Sequence, residues 1–503
     1  MKKMIRPLAI SLTAGLLMTA LMPAAKNVMA ADDTIILTIC NWEEYIDEGG
    51  WDEVIDLESG DIESENGIIS DFEDWYYETY GKKVEVQYSC AGTNEELYSQ
   101  LCLGDTFDLI CPSDYLIMKL MADGMLEPLD DSFFDETDEY NYYVKGVAPF
   151  IQETFANNEI NGETWEKYSA CYMWGITGFV YNPEYVDEED VLSWDAMLNE
   201  KYYRQITIKD NVRDSYFPAL GIFYKDKLLS EDFINSEDYD DARRILMNDT
   251  DPATVDEVEE ILKAARINSY SFETDSGKAD MVTGKVVISL QWSGDGVYAM
   301  DQAEEDETYL YWAVPEEVTN LWFDGWVMLK SGINGDTEKK HAAQAFINFV
   351  SRPDNAVRNM YYIGYTSAIT GGEDDTVFEY VDWCYGADED AEEVAEYPLG
   401  FYFSGDNSDE DYVITADADQ LKRQLYAQYP TEEIIDRSAI MWYFDDEATK
   451  NTNQMWINVR CFNFSQLAPS FWVKAGVALI LVAAVILLVV FRRKIFIKSK
   501  KIK

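Results

Sequence analysis

The sequence predicts an α/β protein with a largely parallel sheet, followed by one membrane-spanning helix near the C-terminus. Three observations lead to this fold class. Short apolar runs alternate with amphipathic stretches from residue 34 onward, which is typical of strand–helix units on a parallel sheet. The 503 residues exceed what one small core organises, so more than one domain is expected. An apolar run of membrane-spanning length, interrupted only by Lys474, stands near the C-terminus.

The elements follow one another with short links. In the first part of the chain, strands are predicted over 34–40, 83–89 and 107–111, and helices over 68–80, 94–103 and 115–123. Further strands are predicted over 178–181, 205–208, 286–290, 309–314 and 325–329. The acidic stretches 47–66 and 374–390 show no apolar period and are predicted to be surface loops.

The N-terminus has the three parts of a secretory signal peptide. A basic start is followed by an apolar run from Pro7 to Pro23 and by small residues that end at Ala30. This pattern predicts a signal peptide over residues 1–30, with cleavage after Ala30. An uncleaved N-terminal membrane helix is the alternative.

The C-terminal apolar run predicts a transmembrane helix over residues 472–491. At a rise of about 1.5 Å per residue, twenty residues span the roughly 30 Å of a bilayer core. Arg492, Arg493 and Lys494 follow directly, so the basic tail 492–503 is expected in the cytoplasm. The signal peptide independently places residues 31–471 outside the cytoplasm. The expected location is therefore the cell membrane, with a single pass and an extracellular or periplasmic domain.

The charge balance narrows the function classes. The chain has 95 acidic and 39 basic residues, for a formal net charge of −56. Such a surface disfavours nucleic acid, which needs Lys and Arg to displace its counterions. It suits a cationic ligand or a solvated acidic surface, and charge alone does not choose between them.

Signals for metal, cofactor or nucleophilic chemistry are missing from the sequence. The seven cysteines include no CxxC pair and form no zinc pattern, and those in apolar runs are expected to be buried thiols. His341 is the only histidine and is predicted at an exposed helix start, which argues against Ser/His and Cys/His catalysis. No metal and no cofactor are expected. A hydrolase based on paired carboxylates and a surface-anchored acidic adhesin remain the alternative functions.

Seven short segments, in collinear order, carry a resemblance to a known family. They are Asn41-Trp42-Glu43-Glu44-Tyr45-Ile46, Thr93-Asn94-Glu95-Glu96-Leu97-Tyr98, Asp108-Leu109-Ile110-Cys111-Pro112-Ser113-Asp114-Tyr115, Trp174-Gly175-Ile176-Thr177-Gly178, Gln291-Trp292-Ser293-Gly294, Trp322-Phe323-Asp324-Gly325 and Ile363-Gly364-Tyr365-Thr366. Together they resemble the bacterial spermidine/putrescine-binding proteins over roughly residues 34–460. Each segment is weak by itself, but their shared order makes the resemblance strong.

The resemblance implies a two-lobed, type II periplasmic-binding-protein-like fold with discontinuous lobes. Lobe one would comprise about 34–168 and 324–366, and lobe two about 172–320 and 370–460. It also implies a non-enzymatic, monomeric protein that binds a polyamine outside the cytoplasm and delivers it to the permease of an ABC-type importer.

The matching positions supply what a polyamine needs, which is carboxylates for its ammonium groups and flat apolar walls for its methylenes. The expected walls are Trp42, Tyr45, Tyr115, Trp292, Trp322 and Tyr365; the expected carboxylates are Glu44, Asp214 and Asp324, with Ser113 and Asp114 as hydrogen-bonding partners. Trp174 fits the cleft and lobe packing equally well. Where family members carry Asp-Asp-Ala-Arg-Glu, this chain has residues 210–214 as Asp-Asn-Val-Arg-Asp, which leaves the preferred polyamine open.

Overall fold

The computed structural model describes residues 34–388 and 391–462. The predicted signal peptide, the predicted membrane span 472–491 and the basic tail lie outside these residues. Among the described residues, no helix combines the length and the apolar character needed to cross a bilayer.

Strands and helices alternate through the described chain. The strands are β1 (Ile35–Trp42), β2 (Trp51–Leu57), β3 (Gly60–Ser64), β4 (Val84–Ala91), β5 (Leu109–Ile110), β6 (Leu126–Glu127), β7 (Glu159–Ile160), β8 (Glu163–Thr164), β9 (Ser169–Tyr181), β10 (Ile206–Lys209), β11 (Ser271–Glu273), β12 (Ile288–Trp292), β13 (Tyr311–Ala313), β14 (Leu321–Leu329), β15 (Thr366–Ser367), β16 (Val394–Pro398) and β17 (Val413–Asp417). The helices are α1 (Ile68–Tyr80), α2 (Asn94–Leu103), α3 (Asp114–Ala122), α4 (Tyr142–Gly146), α5 (Pro149–Asn157), α6 (Val212–Leu228), α7 (Glu231–Ile234), α8 (Tyr239–Leu246), α9 (Pro252–Asn268), α10 (Ser276–Val282), α11 (Ser293–Glu305), α12 (Lys330–Ile333), α13 (Thr337–Val350), α14 (Pro353–Ile363), α15 (Thr376–Tyr385), α16 (Gly400–Phe403), α17 (Gln424–Gln428), α18 (Glu432–Asp436) and α19 (Asp446–Cys461).

Local sequence signals explain why the first helices begin and end where they do. Helix α1 buries Ile68, Phe72 and Tyr76, which are spaced four residues apart on one face. It ends at Gly81, whose φ of 68° is in the left-handed region that glycine adopts without strain. Helix α2 begins after Thr93, whose hydroxyl accepts a hydrogen bond from the Glu96 N–H. Both helices have the predicted bounds.

The main sheet is mixed rather than largely parallel, which corrects the prediction. Its strands lie in the order β11-β10-β12-β9-β14-β5-β1-β4. The outer pairs β1/β4, β1/β5, β10/β11 and β10/β12 are parallel, as the strand–helix alternation predicts. In the centre, β9 runs antiparallel to both β12 and β14. Direction cannot be read from apolar runs alone, because a buried strand is apolar on both faces in either orientation.

Strand β9 joins the two parts of this sheet. Its thirteen residues are all buried. The part before Thr177 pairs with β14, and the part from Thr177 to Tyr181 pairs with β12. Both halves of the sheet are therefore hydrogen-bonded to one continuous strand.

The stretch 47–66 is not a loop, so that prediction was wrong. It forms the hairpin of β2 and β3, with Trp51, Ile55 and Leu57 buried on β2. The buried Asp47 carboxylate fixes its base, because it accepts hydrogen bonds from the Trp51 indole at 3.0 Å and from Arg358 Nε at 3.0 Å. The alternation of buried residues was concealed by the many charged residues between them.

The stretch 374–390 contains helix α15, so the predicted loop was wrong there too. Val377, Tyr380 and Val381 are buried at helical spacing. The acidic residues on both sides of this short apolar pattern made the whole segment look like a solvated loop. Residues 389 and 390 lie outside the described residues.

Two clusters of buried hydrophobic side chains form the core. One is built mostly on residues 35–176 and 321–434, and the other mostly on residues 179–318 and 439–459. Cys40, Cys111 and Cys171 are buried thiols, as their apolar surroundings predicted. The division into two lobes stays a prediction.

Candidate ligand-binding cleft

Strand ends from both halves of the sheet meet at the candidate site. The parallel strands β1 and β5 end at one edge, and the residues that follow them include Tyr45 and Ser113. On the other side, β10 and β12 are also parallel and lead into the starts of α6 and α11. In open α/β sheets, ligand sites form outside the carboxyl ends of such strands.

A cavity of about 720 Å³ lies at this place. All eleven side chains predicted from the sequence line it: Trp42, Glu44, Tyr45, Ser113, Asp114, Tyr115, Asp214, Trp292, Trp322, Asp324 and Tyr365. The structure thus brings the predicted residues together, although they span more than three hundred positions of the chain. A second cavity of about 760 Å³ lies around Lys145 and Asp374, and Tyr142 is the single aromatic residue in its lining. The first cavity is the one that combines carboxylates with aromatic walls.

Glycines of the motifs allow the aromatic walls to pack closely. A Cβ atom on Gly175 would lie 2.6 Å from the Trp322 ring, and one on Gly294 would lie 2.2 Å from the Tyr365 ring. Both distances are far below van der Waals contact. The Trp322 and Tyr365 rings are 5.7 Å apart, and the Tyr365 and Tyr45 rings are 5.3 Å apart in an edge-on arrangement. Trp322, Tyr365 and Tyr45 therefore form one connected aromatic group.

Asp324 is a buried carboxylate whose two oxygens differ in their hydrogen bonding. Its Oδ2 accepts a hydrogen bond of 2.8 Å from the Tyr45 hydroxyl. Within the described residues, its Oδ1 is buried and has no hydrogen-bond partner. Burial raises the pKa of the Asp324 carboxyl to about 6, an effect that contacts with Ser113 and Tyr45 partly offset. A donor supplied by a ligand would satisfy the unpaired oxygen.

A β-bulge accompanies Asp324. In the pairing of β14 with β9, Asp324 lies opposite Met173 and Gly325 lies opposite Cys171, so Tyr172 is the extra residue. Bulges of this kind change the direction of a side chain near functional sites. The Tyr172 hydroxyl donates to the Tyr45 carbonyl at 3.0 Å, which ties the bulge to the loop that carries Tyr45.

Asp214 is the second buried carboxylate of the cleft. It lies in the first turn of α6, whose N-cap residue Asn211 accepts a hydrogen bond from the Asp214 N–H. The Trp292 indole donates to Asp214 Oδ1 at 3.0 Å. Burial raises the pKa of Asp214 to about 6, and the hydrogen bond from Trp292 and the charge of Lys209 only partly oppose this rise.

The remaining predicted residues differ in their surroundings. Asp114 accepts hydrogen bonds from the Tyr115 and Phe323 backbone N–H groups at 2.6 and 3.2 Å, so it holds β14 against α3. Burial raises its pKa well above the usual range. Ser113 is hydrogen-bonded through its hydroxyl and its N–H to the Asn94 side chain. Glu44 is exposed at the rim, with a φ of 53°.

The sequence analysis missed a group of charged residues in the same lining: Lys209, Glu273, Asp275, Lys278 and Asp295. Lys209 Nζ lies 3.0 Å from Asp295 Oδ2 and 3.9 Å from the centroid of the Trp292 ring. Burial would raise the pKa of Asp295, but Lys209 and Lys278 outweigh this effect and lower it to about 2. Asp295 directly follows the Trp292 motif, and that position was the one available signal. In a sequence with 95 acidic residues, this position did not distinguish Asp295 from the other carboxylates.

Trp174 does not line the cavity. It is 1% exposed and stacks on Tyr402 with the ring centroids 5.3 Å apart. Of its two predicted roles, packing is the one the structure supports. His341, predicted to be exposed, is exposed and lies in the first part of α13.

The chemistry of the cleft is that of cation binding. Two buried carboxylates, Asp214 and Asp324, lie beside aromatic rings that also attract desolvated cations. Among residues 34–388 and 391–462, no group of three or more His, Cys, Asp or Glu side chains is arranged to hold a metal ion. The carboxylates and rings fit an organic ammonium group.

Comparisons with known proteins agree with this geometry. The model of a family described as bacterial extracellular solute-binding protein matches residues 68–380. A putrescine-binding periplasmic protein, PotF of Escherichia coli K12, is 26% identical over 367 residues, which are 70% of this chain and 83% of that protein. A spermidine/putrescine-binding periplasmic protein of the same organism is 25% identical over 338 residues, or 67% of this chain and 78% of its own length.

Solved structures show the same fold. A protein described as a spermidine/putrescine ABC transporter from Listeria monocytogenes has a TM-score of 0.56 at 21% identity and covers 85% of this chain and 99% of its own. The substrate-binding protein PotD of Streptococcus pneumoniae has a TM-score of 0.52 at 23% identity, with coverages of 85% and 98%. These likenesses show a mixed α/β, periplasmic-binding-protein-like fold.

Proposed function

Since the chain belongs to the bacterial extracellular solute-binding proteins, we propose that it binds a polyamine outside the cytoplasm and delivers it to an ABC-type importer. The observation that carries this proposal is the pair of buried carboxylates, Asp324 and Asp214, each next to an indole or phenol ring. An alkyl chain with charged ends matches such a lining, because rings contact its methylenes and carboxylates pair with its ammonium groups. The relatives named for spermidine and putrescine support the same ligand class.

The hydrolase and adhesin alternatives have less support. A glycosidase needs two carboxyl groups positioned on either side of a scissile bond, with one of them acting on water or sugar. Here Asp324 and Asp214 are engaged by Tyr45 and Trp292 in an aromatic cleft. The matched family consists of binding proteins, and an adhesin would not need a cavity with a buried, unpaired oxygen on Asp324.

Calorimetry of the purified full chain with putrescine tests the proposal and its pH dependence. At pH 8, Asp214 and Asp324 are ionised and binding should be tight without proton exchange. At pH 6, both are about half protonated, and an ammonium group favours the charged form, so binding should release up to about one proton. Affinity should fall as the pH drops below 6, because the carboxyl groups then become neutral.

Proton release is measured from the dependence of the binding heat on the ionisation enthalpy of the buffer. No binding of putrescine, spermidine or related amines at pH 8 would exclude the polyamine function. Binding without proton release at pH 6 would mean that Asp214 and Asp324 do not contact the ligand.

We further propose that residues 1–30 are a cleaved signal peptide and that residues 472–491 anchor a monomeric binding domain to the membrane. The basic start, the apolar runs and the Arg492-Arg493-Lys494 flank support this topology. Protease added to intact cells should remove the domain over about 31–470 and leave the basic tail protected. Tag-specific antibodies against the domain and against the basic tail measure the two regions separately. Full protection of the domain would contradict this topology.

A further inference from the structure

One end of the cleft already contains ammonium groups that belong to the chain itself. Lys209, at the end of β10, is 1% exposed, and its Nζ donates to Asp295 Oδ2 and to the Thr274 carbonyl, both at 3.0 Å. The same ammonium lies 3.9 Å from the centroid of the Trp292 ring. Lys209 thus has the three contacts that a buried ligand ammonium would make: a carboxylate, a carbonyl and an aromatic face.

Most of the hydrogen-bonding capacity of the Asp295 carboxylate at this end is already used. Besides Lys209, Asp295 accepts hydrogen bonds from Lys278 Nζ at 3.2 Å and from the Tyr365 hydroxyl at 3.0 Å. A carboxylate offers about four lone-pair sites, so little capacity remains for a further donor. The neighbouring acids are engaged as well, since Glu273 accepts the Gly277 N–H at 2.7 Å and Asp275 pairs with Lys278 at 3.4 Å.

Asp214 and Asp324 have no such partner. Asp114, a further buried acid of the lining, differs from them because both its oxygens already accept backbone N–H groups, from Tyr115 and Phe323. Among the described residues, no lysine or arginine nitrogen lies within the 4.0 Å of an ion pair from Asp214 or Asp324. Asp324 also keeps its unpaired Oδ1. Asp214 and Asp324 are therefore the acids of the cleft that a ligand ammonium could pair with, whereas Asp295 is neutralised by Lys209 and Lys278.

We propose that Lys209 and Lys278 restrict the ligand to two ammonium groups, so that the cleft selects short diamines over triamines. This inference rests on the proposed polyamine function and concerns which members of that class are accepted. A third ligand ammonium at Asp295 would meet a carboxylate that Lys209 and Lys278 already neutralise. It would also lie within contact distance of these two positive charges. Like charges brought together in a partly buried site reduce affinity strongly.

Titration calorimetry of the full chain with putrescine, cadaverine, spermidine and the amino acid lysine, at pH 8 and fixed salt, tests the proposal. The parent should bind putrescine or cadaverine at least about tenfold more tightly than spermidine. Lys209→Gln and Lys278→Gln should each reduce this preference by about tenfold, mainly by strengthening spermidine binding. Lys278, with a side chain 22% exposed, should tolerate replacement even if the buried Lys209 does not.

Lys285→Gln is the matched control, because it removes the same charge from a lysine that is 47% exposed and outside the cavity lining. It should leave the preference unchanged. A parent that prefers spermidine, or a preference that survives both cleft substitutions, overturns the limit to two ammonium groups. Tighter binding of the amino acid lysine than of putrescine also overturns the proposal, because Lys209 and Lys278 would then bind the carboxylate of the ligand. If the parent binds none of the amines, the proposed function itself fails.

Discussion

Replacing Asp324 by Asn should weaken diamine binding by about 2–5 kcal/mol, which is roughly 30-fold to several-thousandfold. The substitution preserves the shape of the side chain and removes its charge. It leaves a ligand ammonium in a buried position without its anion, and that desolvation is the source of the loss. Calorimetry at pH 8 measures the change. Asp52→Asn, on the exposed side of β2, removes the same charge outside the cavity and should bind like the parent.

The stability of Asp324→Asn distinguishes a lost contact from misfolding. Burial raises the folded-state pKa of Asp324 from 3.8 to about 6. The charged form is therefore disfavoured in the free protein: the penalty is absent below about pH 4 and develops fully as the pH rises through 6. Two pKa units correspond to about 3 kcal/mol as an upper estimate. At pH 7.5 the ligand-free variant should melt no lower than the parent, yet gain no stability from putrescine. Unchanged affinity would show that Asp324 is not a ligand contact.

Replacing Trp322 by Ala should abolish tight binding although the net charge stays the same. Trp322 is 7% exposed, and its ring lies 5.7 Å from that of Tyr365, so its loss opens the aromatic wall to water. The remaining attraction would come from the acidic surface, which salt screens over about 8 Å at physiological ionic strength. Residual binding of spermidine and of Mg²⁺ should then fall together as salt rises. Binding to the parent should survive moderate salt and distinguish the amine from the metal ion.

Controls are needed because deletion of a buried Trp side chain costs about 3–5 kcal/mol of folding free energy. Circular dichroism at the assay temperature verifies the fold, and Trp322→Phe keeps part of the wall and should retain intermediate affinity. Trp75→Ala removes an indole that packs on Tyr80 and Phe349, away from the cleft, and should leave affinity intact. If the parent and Trp322→Ala show equal affinity and equal salt dependence, binding comes from the acidic surface alone. That result would favour an adhesin.

Local patterns and motif order predicted much of this molecule. The bounds of α1 and α2 follow from helical spacing and from Thr93, Gly81 and Gly104, all of which act within one or two turns. The positions lining the cleft came from short motifs, which remain readable at low identity because they include glycines, such as Gly175, that no other residue can replace without a clash.

What the sequence could not show depends on partners that are distant in the chain. The hairpin over residues 51–64 is anchored by Arg358, about three hundred positions away, and no local pattern reports that contact. Lys209 and Asp295 are separated by 86 residues and meet only because β10 and β12 pair in parallel. In a chain with 95 acidic residues, a carboxylate that matters is identified by burial, and burial is a property of the fold.

Strand β9 also sets the spacing of two indoles of the cleft. Trp322 lies opposite Gly175 on one side of it, and Trp292 lies opposite Thr177 on the other. Residues 175 and 177 face the same way, so both indoles project from one face, with their strands about 10 Å apart. This spacing is fixed by backbone hydrogen bonds, so substitutions of the wall side chains should change the chemistry of the cleft without moving the strands that carry them.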